Sequence, residues 1–122
     1  MTEPDQLEAE RTIRELRAAG RLAEAARLAG RLGPYGVADG PDATTSLGAA
    51  VLEEYGDRLA GTDPDAADAA YRDAAADQRS FAGGASSGSE GLARIGEADR
   101  IEAGCERLVA DRLADLVRHS RS

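Results

Sequence analysis

The amino-acid sequence predicts an all-α protein with a single domain over residues 1–122. Two observations predict this class. Alanine supplies 26 of the 122 residues, whereas Val and Ile together supply seven and Phe one. Helices pack closely through alanine, but sheets need the branched and aromatic side chains that are scarce here. Apolar residues also recur every three or four positions, which predicts about five helices in an antiparallel bundle or in stacked helical hairpins.

The first two helices are expected in the N-terminal quarter of the chain. The first begins near Thr2 and ends at Ala19, because Gly20 breaks the pattern. A second helix follows to Leu32 with an apolar stripe at three- and four-residue steps. The Gly- and Pro-rich stretch 33–43 then predicts a flexible loop.

The third and fourth helices each begin at a capping residue. Thr44, Thr45 or Ser46 is expected to cap the third helix. Its large side chains share one face: Leu47, Val51, Leu52, Tyr55 and Leu59. Asp63, directly before a proline, is expected to cap an Ala-rich fourth helix that fades near Phe81.

A flexible connector over 82–88 precedes a long C-terminal helix. Ser87 and Glu90 form a capping box at its start, and its apolar pattern continues to near His119. Such a helix would be nearly 50 Å long, whereas a compact domain of this size is about 36 Å across.

The long helix therefore either breaks, at Gly96 or Gly104, or projects from the domain. The apolar residues of its second half spread over roughly half its circumference, which is wider than one neighbouring layer needs. Both glycines fall towards the polar side, so a break would leave this apolar arc exposed. The sequence favours a projecting helix and a two-fold homodimer.

Charge and hydropathy argue against several classes of function. The formal net charge is −8, which repels the phosphate backbone, so nucleic acid is not an expected partner. No apolar run approaches the roughly 20 residues that cross a bilayer, and the acidic N-terminus lacks the layout of a signal peptide. We expect a cytoplasmic protein without a membrane partner. The single cysteine excludes an internal disulfide.

Two stretches resemble the tetratricopeptide repeat. In the segment from Leu16 to Leu32, Gly20 stands at the interhelix turn and Ala25 stands where neighbouring helices touch. A looser match runs from Leu59 to Ala75, with Ala67 in the place of Ala25, an offset of 42 residues instead of the family's usual 34. This resemblance implies a partner-binding module and not a catalyst.

A third stretch resembles carrier proteins. In the segment from Asp42 to Gly61, Ser46 stands where that family attaches a phosphopantetheine arm, although Thr45 replaces the acidic residue that precedes the serine there. The alternative role for this serine is a helix cap.

Few side chains offer chemistry, and each has a structural alternative. His119 is the only histidine, and we expect it to be a favourable charge near a helix end. Cys105 is expected to be a small buried residue more than a reactive thiol. Glu102 and Glu106 form either an acid–base pair or, as we favour, ion pairs with arginines of a neighbouring helix. We expect a solvated face and no metal site for the aspartate series Asp63, Asp65, Asp68, Asp73 and Asp77.

The leading hypothesis is a small cytoplasmic adaptor or regulatory protein that binds another protein through a groove between helices, with no cofactor. The alternative is a small-molecule-binding domain or accessory enzyme of a biosynthetic pathway, in which Tyr55, Tyr71 and Phe81 line a pocket. The sequence favours a non-enzyme without deciding the matter. An enclosed cavity lined by these aromatics favours the ligand, and a shallow open groove favours the adaptor.

Overall fold

A computed structural model describes residues 3–33, 36–38, 44–85 and 87–121, and it confirms the all-α class. Thr2 and part of the loop expected over 33–43 lie outside the described residues. The five helices run in the order α1 (Glu3–Ala18), α2 (Leu22–Leu32), α3 (Leu47–Leu59), α4 (Pro64–Gly83) and α5 (Gly88–Arg121). None of these helices is both long enough and apolar enough to cross a membrane.

The expected caps are present at the starts of three helices. Ser46, Asp63 and Ser87 each accept a hydrogen bond from the backbone N–H three residues further on, over 3.0, 3.1 and 3.2 Å. Such a bond pairs one of the four N–H groups that a helix start leaves without an internal partner. These side chains therefore fix where α3, α4 and α5 begin.

Each helix packs mainly against the helices that precede and follow it in the chain. The contacts of α4 with α3 and with α5 are the most extensive. More than half of the core residues are alanines, which allows the helices to approach closely. The core consists of Ala9, Ile13, Ala25, Ala26, Ala29, Leu32, Leu47, Ala49, Val51, Leu52, Ala74, Ala75 and Ile101.

A buried polar network joins α3, α4 and α5. Gln78 is fully buried, and its side-chain oxygen accepts from the Ser46 backbone N–H at 2.9 Å. Its amide nitrogen donates to the carbonyl oxygens of Thr44 and Arg94, at 2.7 and 3.0 Å. The Ser46 hydroxyl donates to Asp77. Because buried polar groups are costly unless paired, this network fixes how the three helices meet.

The C-terminal helix is unbroken and extends past the rest of the bundle. It runs through Gly96 and Gly104 without interruption, so the break at a glycine does not occur. At 34 residues it is about 51 Å long. Every residue from 109 to 120 is exposed, and an ion pair of 2.8 Å between Arg112 and Asp65 joins this segment to the start of α4. The sequence-based expectation of a projecting helix is therefore correct.

Candidate interaction surface

Six large apolar side chains on α5 are exposed to solvent, and we refer to them as the α5 stripe. They are Leu92, Ile95, Val109, Leu113, Leu116 and Val117, with exposed fractions from 39% to 72%. At 100° per residue all six fall within a sector of about 120°. The stripe therefore consists of two apolar groups on one side of α5, one near its start and one in its last turns, with Asp99, Glu102 and Glu106 on the same side between them.

The α5 stripe lies beside the residues through which α5 packs in the core, and the two sectors meet at one edge, where Leu116 and Ala98 point in the same direction. Ala98 and Ile101 are fully buried, whereas Leu113 is 58% exposed. The centre of the stripe is rotated by about 90° from the buried side. The sequence pattern placed Ile101 and Cys105 in one broad apolar arc with Val109, Leu113, Leu116 and Val117. The structure buries Ile101, half-buries Cys105 and exposes the other four.

An open cleft of about 390 Å³ lies between α4 and α5, on the same side of α5 as the stripe. Its lining is mixed in charge and consists of Tyr71, Arg72, Ala75, Ala76, Arg79, Glu102, Cys105 and Glu106. Arg79 forms an ion pair with Glu102, and this hydrogen bond lowers the pKa of the carboxyl. For Glu102, the expected ion pair with an arginine of a neighbouring helix is thus present.

The Cys105 thiol faces this α4/α5 cleft but is not set up as a nucleophile. It donates to a carboxylate oxygen of Asp68 at 2.8 Å. Burial and the neighbouring Asp68 raise the pKa of the thiol, so it stays protonated at neutral pH. The sequence suggested a buried side chain, whereas Cys105 is only half-buried because it lies at the edge of the cleft.

The three aromatic residues proposed for a ligand pocket lie in different places. Tyr55 borders a shallow cleft of about 220 Å³ between α2 and α3. Tyr71 is buried, donates to Asp57 at 2.5 Å, and has its pKa raised by burial and by that bond. Phe81 is buried beneath the guanidinium of Arg94, which lies 3.7 Å from the ring centroid. No described cleft is lined by all three.

A second open cleft, of about 480 Å³, lies between α2 and α4. Its lining is Ala26, Arg27, Gly30, Leu52, Asp73, Ala76, Asp77 and Ser80. Ala76 of α4 borders both this cleft and the α4/α5 cleft.

The sequence predicts that all five aspartates of the series are solvated, but two of them are half-buried in the structure. Asp77 is half-buried, and burial raises its pKa, while hydrogen bonds from Ser46 and the Ala49 N–H oppose that shift. Asp68 is also half-buried and is bonded to Cys105. In the described parts of the chain, no three His, Cys, Asp or Glu side chains are placed to hold a metal ion.

Two further residues singled out in the sequence have structural roles. Ser46 is fully buried and caps α3, so its hydroxyl is not accessible for attachment of a prosthetic arm. This placement contradicts the role that the carrier-protein resemblance implies. His119 is exposed in the last turn of α5, where its Nδ1 lies 2.7 Å from the Asp115 carbonyl oxygen.

No protein-family model matches the chain, and no curated protein or solved structure matches it. The geometry of the surface is therefore the basis for inferring a function.

Proposed function

We propose that this chain is a cytoplasmic helical adaptor that binds another protein chain through the α5 stripe, without a cofactor. The observation that carries the proposal is the exposure of large apolar side chains on a projecting helix. Val109, Leu113, Leu116 and Val117 occupy one side of a segment in which every residue is exposed. Exposed apolar surface that is grouped and edged by charged residues is typical of a protein-binding site.

The clefts also support protein binding more than small-molecule binding. Ligand pockets enclose most of their ligand and are lined mainly by apolar and aromatic groups. The α4/α5 cleft is open and contains two arginines and two glutamates, and Tyr71 is its one aromatic residue. Two stretches, Leu16 to Leu32 and Leu59 to Ala75, also resemble a repeat family that binds protein partners.

Differential capture with matched variants tests the proposal. Leu113→Glu places a charge in the stripe, and Ala114→Glu places the same charge on the next residue, outside the stripe. Both positions are exposed, so both variants are expected to keep the fold. The tagged wild-type chain and the two variants are each used to capture proteins from cells that produce the untagged chain, with quantification by mass spectrometry.

We expect the wild type and Ala114→Glu to retain one or more proteins. A second copy of the chain is one of the proteins that can be retained. Leu113→Glu is expected to lose them, because a charge buried in an apolar contact costs several kcal/mol. Equal retention by all three baits would contradict the assignment of the stripe as the binding surface.

A further inference from the structure

We infer that the α5 stripe binds a helix of another protein that is apolar at both ends and carries lysine or arginine at its centre. This inference rests on the proposed function and names the chemistry of the partner for the same surface. Two observations support it: the excess of carboxylates at the centre of the stripe side, and the position of the two apolar groups on either side of that centre.

The stripe side of α5 carries more carboxylates than cations between its two apolar groups. Asp99, Glu102 and Glu106 lie there within a sector of about 60°. Arg79 of α4 forms an ion pair with Glu102 and lies 3.7 Å from Asp99. Among the residues that the structure describes, the carboxylate of Glu106 has neither an ion pair nor a hydrogen bond. One guanidinium therefore serves three carboxylates.

The second arginine of the α4/α5 cleft does not remove this excess. Arg72 pairs with Asp68 of its own helix at 3.1 Å. An acid-rich surface repels the phosphates of nucleic acid and of anionic lipids, and it attracts ammonium and guanidinium groups. A second copy paired along the stripe would bring a second set of carboxylates to the same centre, where like charges would meet. The charge therefore favours a basic segment of a different protein.

The two apolar groups lie at the two ends of α4, and the acidic centre lies beside its middle. Arg94, which stands within the N-terminal group, donates to the Phe81 carbonyl oxygen near the end of α4 at 2.9 Å. Arg112, which stands within the C-terminal group, pairs with Asp65 in the first turn of α4. A helix laid along the stripe therefore contacts apolar side chains at both of its ends and the α4/α5 cleft in between.

The spacing of these groups defines the pattern of the partner. From Leu92 to Val117 the helix has 26 residues, which is about 39 Å, and the acidic centre from Asp99 to Glu106 occupies about two turns of it. The partner helix is expected to carry apolar residues in its outer turns and basic residues in its central turns, all on one side. A contact of this kind buries little apolar surface, so the complex is a transient one that forms at about 10–100 µM.

Synthetic helical peptides test the charge at the centre separately from the apolar ends. Three peptides of about 26 residues carry the same leucines at helical spacing in their outer turns. They differ only at three central positions, which are all lysine, all glutamine or all glutamate. Circular dichroism verifies that each peptide is helical. Fluorescence anisotropy measures its binding to the full chain at about 50 mM salt, where exposed charges are only partly screened.

We expect the lysine peptide to bind at least about tenfold tighter than the glutamine peptide, and the glutamate peptide to bind most weakly. Equal affinity of the chain for the lysine and glutamine peptides would overturn the inference. The absence of saturable binding of the lysine peptide up to about 500 µM would also overturn it.

Matched variants of the chain locate the effect of charge. Glu106→Gln removes a carboxylate from the centre of the stripe side, and Asp111→Asn removes an exposed carboxylate from the opposite side of α5. We expect Glu106→Gln to weaken binding of the lysine peptide about two- to fivefold and Asp111→Asn to leave it unchanged. Equal weakening by the two variants would mean that the overall negative charge attracts the peptide, and it would overturn the inference.

Leu113→Glu separates this inference from the proposed function. We expect it to weaken binding of the lysine and glutamine peptides at least about tenfold, because a charge then lies in the apolar contact. If both peptides bind equally and both depend on Leu113, the stripe is a binding surface without a charge preference, so the proposed function stands and the inference falls. Sedimentation equilibrium of the chain alone is the last control. Self-association at about 200 µM that Leu113→Glu abolishes would make a second copy the occupant and would overturn the inference.

Discussion

Gly56 allows the ring of Tyr71 to lie directly against α3. A Cβ at Gly56 would lie 2.9 Å from the Tyr71 ring, closer than real Cβ atoms approach other atoms. We expect Gly56→Ala to lower the free energy of unfolding by about 1–3 kcal/mol, because the ring, which is held by the hydrogen bond from its hydroxyl to Asp57, has to shift away from the added methyl group. Gly30→Ala is the matched control, since a Cβ there meets nothing within 4 Å.

The control variant is expected to gain about 0.5–1 kcal/mol, because alanine favours a helix interior more than glycine does. Urea unfolding followed by circular dichroism measures both changes. Equal effects of the two substitutions would contradict the close packing of Tyr71 on α3.

Gln78 joins α3, α4 and α5 through the hydrogen bonds of its side chain. Gln78→Leu leaves the Ser46 N–H and the carbonyl oxygens of Thr44 and Arg94 without this partner. We expect a loss of about 3 kcal/mol in the free energy of unfolding, because each unpaired buried group costs about 1–3 kcal/mol. Ser80→Ala, at an exposed position on the same helix, is expected to change it by less than about 0.5 kcal/mol. A similar loss of unfolding free energy in both variants would contradict this role of Gln78.

Asp77 links stability to pH with a definite sign. Burial raises its pKa in the folded state, so protonation favours folding, and this contribution is lost as pH rises through the folded-state pKa. We expect Asp77→Asn to raise the free energy of unfolding relative to the wild type at pH 7, and to do so less near pH 4, close to the ordinary aspartate pKa of about 3.9. A stabilisation by Asp77→Asn that increases as the pH falls would contradict the raised pKa of Asp77.

The sequence predicts the three caps at Ser46, Asp63 and Ser87, because each cap is decided within four neighbouring residues. It does not predict the role of Gln78. The partners of that side chain are 16 to 34 residues away in the chain, and only the packed helices bring them together. The same limit explains why the sequence does not predict the partial burial of Asp77.

Helix α5 combines a packed part and a projecting part in one continuous element. We expect truncation after Leu108, which removes the exposed residues 109–120 and the two that follow them, to shift the melting temperature by no more than a few degrees in dilute solution. Truncation after Ala98 also removes Ile101, which is fully buried in the core. That variant is expected to lose several kcal/mol or fail to fold. Thermal melts followed by circular dichroism compare the two, and similar losses would contradict a projecting segment.

The length of α5 was predictable, because its apolar pattern continues without a strong helix breaker. The sequence did not predict which residues of that apolar pattern are buried and which are exposed. Ile101 and Leu113 have the same hydrophobic character, but their side chains point about 120° apart on α5. Asp65, which pairs with Arg112, lies in the first turn of α4, so α4 covers Ile101 and leaves Leu113 exposed. A periodic pattern indicates an apolar side of a helix but not where its neighbour stops.

At the scale of the whole molecule, the packing of each helix on its neighbours in the chain leaves α5 at one end of the bundle. An element at the end of such an arrangement is covered on one side only, so its other side is available for a partner. The all-α class and the number of helices follow from composition and periodicity. The open clefts on the two sides of α4 depend on tertiary packing and could not be predicted in that way.

Hydrogen exchange of α5 with and without the captured proteins tests the central claim, that the stripe is a binding surface, most directly. Amides of an unpaired projecting helix open readily, and binding slows their exchange. We predict that residues 109–120 of the wild type exchange fast in the purified chain at about 5 µM and several-fold slower in the assembly isolated by capture, while Leu113→Glu mixed with the same proteins exchanges fast. Equally fast exchange of this segment in the purified chain and in the captured assembly would contradict the account.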